Sequence, residues 1–182
     1  MNACLRQGGF TAIELMVVLS IMVVLATLAA PSFTAMIQRW RVQQSIEELS
    51  GTFYLARSEA MRRGVEVHLM KLDSGADCTS TTATDWSCGW ILYADLNRNG
   101  KYDSSGADAD FLIQNHTPAK NISITYNDGD KSIVVNQWGD ILKVGGSGIS
   151  FEPKSHGTAD MKRTLCIIGG GKIYQSTGTQ CS

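Results

Sequence analysis

FTAIELMVVLSIMVVLATLAA, running from Phe10 to Ala30, carries a single charged residue, Glu14, in twenty-one positions. As an α-helix it extends ~31 Å, close to the ~30 Å hydrocarbon core of a bilayer. Only MNACLRQGG precedes it, with Arg6 as the one charged side chain. A secretory signal peptide fits poorly, because a carboxylate inside the apolar run costs roughly 2.5–3.5 kcal/mol at mid-helix. No small-x-small cleavage pattern follows before Pro31 either. A plain single-span anchor leaves both Glu14 and the Gly8-Gly9 pair without a role. Cleavage between Gly9 and Phe10 accounts for both: the apolar helix stays in the mature chain, and its new amine lies four residues before Glu14.

With that short basic leader ending in glycine, followed by Phe10-Thr11-Ala12-Ile13-Glu14 and the apolar run, the sequence resembles the class III signal of type IV prepilins. The resemblance implies a membrane-embedded aspartyl peptidase that cuts after Gly9 and methylates the amine of Phe10. Glu14 is then expected to pair with the N-terminal ammonium of a neighbouring subunit, since a buried carboxylate needs a partner. The competing reading has Glu14 solvated at the headgroup level.

Outward from this segment, Pro31 ends the apolar run and predicts a kink. Val42, Ile46, Leu49, Phe53, Ala56 and Ala60 then recur at spacings of four and three, one stripe of an amphipathic helix. Arg39, Arg41, Gln43, Gln44, Glu47 and Glu48 lie mostly off that stripe. Arg62-Arg63-Gly64 supplies basic residues for the last turn and a glycine for the cap. The helix is therefore expected over 10–63, with the stripe packing on its own domain rather than forming a coiled-coil seam.

After Gly64 the pattern turns to short β-type runs: Val65–Leu72, Gly89–Ala94, Phe111–His116, Ile122–Tyr126, Ser132–Gln137, Ile149–Phe151, Leu165–Ile168 and Lys172–Gln175. Turn residues at Asn97–Gly100, Asn127–Gly129, Gly145–Gly148 and Gly169–Gly171 separate them. The fold expected is α+β, a long N-terminal helix whose apolar half is transmembrane, packed on a C-terminal antiparallel β-sheet domain. The divisions are a leader (1–9), an apolar helix (10–30), an amphipathic helix (31–63) and a β-rich head (64–182).

Of the five cysteines, Cys4 lies in the leader, which leaves the even set Cys78, Cys88, Cys166 and Cys181 for a domain facing an oxidising compartment. Three pairings are open. Short loops close at least entropic cost, which favours Cys78 with Cys88 and Cys166 with Cys181. A metal site is the rival, but no C-x-x-C spacing or paired histidine supports it.

Trp86-Ser87-Cys88-Gly89-Trp90-Ile91-Leu92-Tyr93-Ala94-Asp95, continued by Leu96-Asn97-Arg98-Asn99-Gly100-Lys101-Tyr102-Asp103, is similar to the strand-and-turn signature of the GspH/FimT family of minor pilins and a type II secretion pseudopilin. Asp95-x-Asn97-x-Asn99-Gly100 also matches the opening of a calcium loop, with Asp103 at its ninth position. The twelfth position is Gly106, so the bidentate acid is missing and a tight Asn/Gly turn is the better reading. Gly169-Gly170-Gly171-Lys172 lacks the Gly and the Ser/Thr of a phosphate loop, because Cys166 and Ile173 stand in those places, and reads as a hairpin turn. His68, His116 and His156 are scattered, no nucleophile motif is present, and the sequons at Asn115 and Asn121 are pattern matches only. No enzyme and no cofactor are expected.

The chain of 182 residues has 16 Lys+Arg against 17 Asp+Glu, a formal charge of −1, which argues against nucleic-acid binding by bulk electrostatics. The family includes pilins that bind DNA through a C-terminal Gly-Arg-x-Arg-like motif. The matching positions here, Gly171-Lys172-Ile173-Tyr174, keep one basic residue, leaving Lys162, Arg163 and Lys172 as a small candidate patch for weak, salt-sensitive binding. The resemblance implies a minor type IV pilin held in the bacterial inner membrane with a periplasmic head. From there it would be incorporated at or near the pilus tip to prime assembly. Its partners would be major and minor pilins and the prepilin peptidase. A type II secretion pseudopilin and a DNA-binding pilin are the alternatives.

Overall fold

The computed structural model describes residues 9–75, 78–142, 147–155, 159–168, 171–178 and 181, with the side chains of 28–32, 147 and 159 outside that set. The chain divides into two units, Met1–Ile37 and Gln38–Ser182. One helix, α1 (Ala12–Arg63), is assigned without a break through both.

In the first unit the helix is apolar around its whole circumference. Ile13, Met16, Val17, Leu19, Met22, Val23 and Leu25 are each about half or more exposed. Two of its hydroxyls are turned inward: Ser20 Oγ donates to the Met16 carbonyl (2.5 Å) and Thr27 Oγ1 to that of Val24 (2.8 Å). Only Glu14 then offers a charge to the surroundings. Among the described residues no helix is long and apolar enough to cross a membrane. The part of the run at 28–30 and the expected kink at Pro31 involve side chains outside the described set.

The second unit is built on the stripe that the spacing predicts. Val42, Ile46, Leu49, Phe53, Ala56 and Ala60 are all 1% exposed or less. They pack on strands β1 (Val67–Lys71), β4 (Trp90–Ala94), β5 (Phe111–His116), β6 (Ile122–Tyr126), β7 (Ser132–Val135), β9 (Ser147–Pro153) and β10 (Arg163–Ile168), or on the segments beside them. The remaining strands are short or peripheral: β2 (Ser74–Gly75), β3 (Cys78–Thr79), β8 (Ile141–Leu142) and β11 (Lys172–Thr177). A 3-10 turn covers Ala159–Met161.

All described pairings are antiparallel, but the strands form two main sheets rather than one. The larger has the order β5-β4-β1-β7-β8 and the smaller β11-β10-β9-β6; β2 and β3 make a separate hairpin. Both main sheets send side chains into the same core: Leu69, Trp90, Leu92 and Val135 from one, Ile124, Phe151 and Leu165 from the other. The helix stripe fills the space between these inward residues, which is how one amphipathic helix closes two sheets.

Strand β4 is buried at every position instead of alternating. One face meets the helix. The other is covered by the long connection 95–110, where Tyr102 lies 5.0 Å from the Tyr93 ring; His68, the register partner of Tyr93 on β1, stacks beside that ring at 5.3 Å. Gly89, just before β4, has φ 105, and a Cβ there would collide with the carbonyl oxygen of His116.

Candidate functional site

The start of the helix holds the residues of the expected processing signal. Gly9, Phe10 and Thr11 precede the first helical residue, and the Phe10 side chain is 86% exposed. The Gly9–Phe10 peptide thus lies in non-helical, accessible backbone, the form a protease needs. Thr11 is the N-cap: its Oγ1 accepts the backbone N–H of Glu14 at 3.2 Å, and its carbonyl accepts that of Leu15 at 3.2 Å. The Thr-x-x-Glu spacing is a capping-box signal legible in the sequence itself. Glu14 is exposed in the first turn, where the helix dipole favours a negative charge. Gly8, Arg6 and Cys4 lie outside the described residues.

Two disulfides brace the head. Cys78 pairs with Cys88 (Cα–Cα 5.3 Å) and Cys166 with Cys181 (5.5 Å), the shortest loops of the three pairings. The first ties β3 to the approach to β4, beside the fully buried Trp86; the second ties the chain end to β10. Buried Lys71 is held by Asp73 Oδ1 (2.9 Å) and Ser80 Oγ (3.0 Å) next to that first bridge. Lys71 and Lys131 together keep the Asp73 carboxyl below its ordinary range, Lys71 being the larger influence.

The 95–110 connection is a self-satisfied turn. Asp95, fully buried, accepts the N–H groups of Asn99 (3.2 Å) and Gly100 (2.8 Å), while Asn97 and Asn99 both donate to Asp103 Oδ2 (2.9 and 2.6 Å). Those two amides hold the Asp103 carboxyl below the usual aspartate range. Asp110 accepts the N–H groups of Leu96 and Asp103 (3.0 and 2.9 Å), closing the loop. Among the described residues no group of three or more His, Cys, Asp or Glu is placed to hold a metal ion. Tyr93 lies beneath; burial above all, then the nearby Asp95, Asp110 and Asp103, pushes its phenol above its ordinary range.

The basic candidates fall in two places: Lys162 and Arg163 line one cleft with Arg39, and Lys172 lies apart. The β10–β11 register pairs Arg163 with Thr177 and Ile168 with Lys172, so Lys172 lies ~17 Å along the hairpin from Arg163. Lys162 is paired with Glu152 (3.1 Å), and the Arg163 guanidinium donates to the carbonyls of Asp160 and Lys162 (2.6 and 3.0 Å). Arg39, from the polar side of the helix, joins them through Asp160 at 2.8 Å. Lys172 rests over the Tyr174 ring at 5.6 Å. Gly171, φ 74, turns the hairpin, and a Cβ there would run into the Arg57 guanidinium; Gly169 and Gly170 are outside the described residues.

Of the histidines, His116 is within 3.0 Å of Glu48 and stacked on Trp90 (4.5 Å), whose indole N–H donates to Thr52 at 3.2 Å. This polar seam, invisible to hydrophobic periodicity, fixes the helix against β4 and β5. His68 is packed and buried; His156 is outside the described residues.

The family model described as Type II transport protein GspH matches residues 45–171. The chain is 27% identical to the pilin-like protein PilA1 of Thermus thermophilus over 167 residues, 92% of this chain and 90% of that protein. Two crystal structures of the type IV minor pilin FimU of Pseudomonas aeruginosa (strain PAO1) superpose with TM-scores of 0.54 and 0.56 at 18% and 19% identity. They cover 77% and 79% of this chain and 99% and 97% of theirs. The helix-on-sheet architecture is thus shared with a type IV pilin, and the matched head places the chain in the GspH family.

Proposed function

We propose that this chain is a minor type IV pilin, made as a precursor that is cut between Gly9 and Phe10 and methylated on the Phe10 amine. The mature helix waits in the inner membrane, with the head in the periplasm, and is then drawn into a fibre near its tip, where it primes assembly. Major and minor pilins and the prepilin peptidase are its partners. Its role is structural rather than enzymatic.

The observation that carries this reading is the bare helix of the first unit. Its described side chains are apolar on every side, its Ser20 and Thr27 hydroxyls are internally bonded, and its one carboxylate sits in the first turn. Such a surface is not stable in water, and a helix apolar all round belongs in lipid or inside an assembly. Glu14, at the tip, is the one residue able to choose a partner, and a neighbour's N-terminal ammonium satisfies it. The change Glu14→Val tests this. The variant should still fractionate with membranes but be lost from sheared surface fibres; normal incorporation contradicts the pairing role.

The family description favours a second reading, a type II secretion pseudopilin, which shares the same helix physics. The two disulfides suit a head that meets the exterior and favour the pilus. Recovery of the chain in sheared fibres, as against an exclusively envelope-bound pool, separates them. DNA binding through Lys162, Arg163 and Lys172 gains no support from their separation along the hairpin and their local pairing.

A further inference from the structure

Trp138 is 74% exposed at the tip of the turn between β7 and β8, an unfavourable place for the largest apolar side chain. The turn itself is tightly bonded. Asn136 Oδ1 accepts the N–H groups of Trp138 (3.0 Å) and Asp140 (2.9 Å), and Asn136 Nδ2 donates to Asp140 Oδ2 (3.2 Å). Backbone bonds from Asn136 to Asp140 and from Gly139 to Asn136, both 2.9 Å, close it again. From the helix, Arg57 Nε donates to the Gly139 carbonyl at 2.8 Å. Gly139 itself, φ 84, rests on Met61, whose sulfur would be 3.3 Å from a Cβ. The backbone that carries the ring is therefore fixed in place.

Beside it lies an open cleft of about 290 Å³, lined by Glu66, Arg98, Gln137, Leu142 and the indole. That is the small end of ligand pockets, with room for a sugar ring. Arg98 holds φ 60, a backbone conformation uncommon for a residue with a side chain, and such outliers gather where a side chain is being positioned.

We propose that this cleft binds a neutral saccharide, one pyranose ring stacked on Trp138. A pyranose carries a patch of C–H groups on its face, which the negative face of an indole attracts, and hydroxyls around its rim. The carboxylate of Glu66 accepts from those hydroxyls; the Arg98 guanidinium and the Gln137 amide donate to them. A nucleic acid fits less well, because Arg98 is the one cation among the described lining residues and the connection that carries it holds Asp95, Asp103, Asp108 and Asp110 against Arg98 and Lys101. A protein partner needs a broad apolar centre, and among the described residues of the turn and cleft the exposed apolar groups are Trp138, Met61 (57%) and Leu142 (36%).

The test uses the full chain in a zwitterionic, sugar-free detergent, with maltotriose, cellotriose, chitotriose and galactobiose as probes at millimolar concentration. Saturation-transfer NMR is expected to show transfer to the ring C–H protons of at least one probe. Trp138→Ala should weaken that binding by about 5-fold or more, the loss typical of a central aromatic anchor, with an unchanged melting temperature. Trp40→Ala, which removes another exposed indole, should leave it intact. No transfer from any probe, or equal transfer in Trp138→Ala, overturns the proposal. Binding of a thymidine oligonucleotide that is lost in Trp138→Ala would also overturn it, assigning the surface to nucleic acid.

Discussion

Removing the Cys166–Cys181 bridge by the paired change Cys166→Ala/Cys181→Ala should destabilise the head by about 3 kcal/mol. The two cysteines are 15 residues apart in sequence, and closing a loop of that length withdraws about this much chain entropy from the unfolded state. The Cys78–Cys88 loop, 10 residues, should contribute about 2.7 kcal/mol by the same reasoning. For a chain of this size each corresponds to a melting temperature lower by about 5–12 °C. Losing both, about 6 kcal/mol, approaches the whole stability of an ordinary domain. Alanine is the right replacement because Cys166 is fully buried, and a serine hydroxyl there would need a partner. The assay is thermal unfolding of the full chain in detergent, followed by near-ultraviolet circular dichroism of the buried Trp86 and Trp90. Thiol titration of the folded and unfolded protein serves as the control. If either alanine pair melts within a degree or so of the parent, or the native chain titrates four free thiols, the bracing role is wrong.

Phe53→Ala removes a fully buried ring from the middle of the helix stripe and should cost about 3–5 kcal/mol in denaturant unfolding; a loss below about 1 kcal/mol would mean that the helix does not fill the core. Gly89→Ala meets both a positive φ and the His116 carbonyl, so a loss of at least about 2 kcal/mol, or no folded protein, is expected; a fully stable variant would contradict the backbone geometry there. Because its folded carboxyl is held below the usual value, Asp103 stabilises the 95–110 loop above about pH 4, and that contribution fades as the pH falls through the lowered value. The protection of the Asn97 and Asn99 side-chain amides, measured as exchange relative to the intrinsic rate at each pH, should therefore fall on acidification, and unchanged protection in Asp103→Asn relative to the parent at neutral pH would refute the contact.

The helix was legible because its two halves announce themselves differently. An unbroken apolar run marks the first, and six residues at helical spacing mark the second, all six of which lie in the core. The strands Phe111–His116 and Ile122–Tyr126 also read directly, bounded by turn residues. What the sequence could not convey is long-range. Alternation says which residues point inward but not into which sheet, so two sheets on one core are not separable from a single one. Strands β2, β3 and β8 are two residues each, too short to carry any period. Strand β4 loses its alternation because the connection that follows it folds back over its second face, and a polar Asn/Gly-rich stretch gives no sign of that. The basic candidates illustrate the same gap. Lys162, Arg163 and Lys172 are near in sequence, but the hairpin puts Lys172 at its turn and Arg163 at its open end rather than on one spot.

The account rests most heavily on the apolar helix remaining part of the finished protein, with Phe10 as its first residue. Intact-mass and fragment-ion spectrometry of the chain isolated from cells with an active prepilin peptidase measures this directly. The expected product begins at Phe10, carries one methyl group on its amine and retains Glu14 and everything after it. A mature chain that still begins at Met1, or one that has lost the segment through Ala30, would contradict the account.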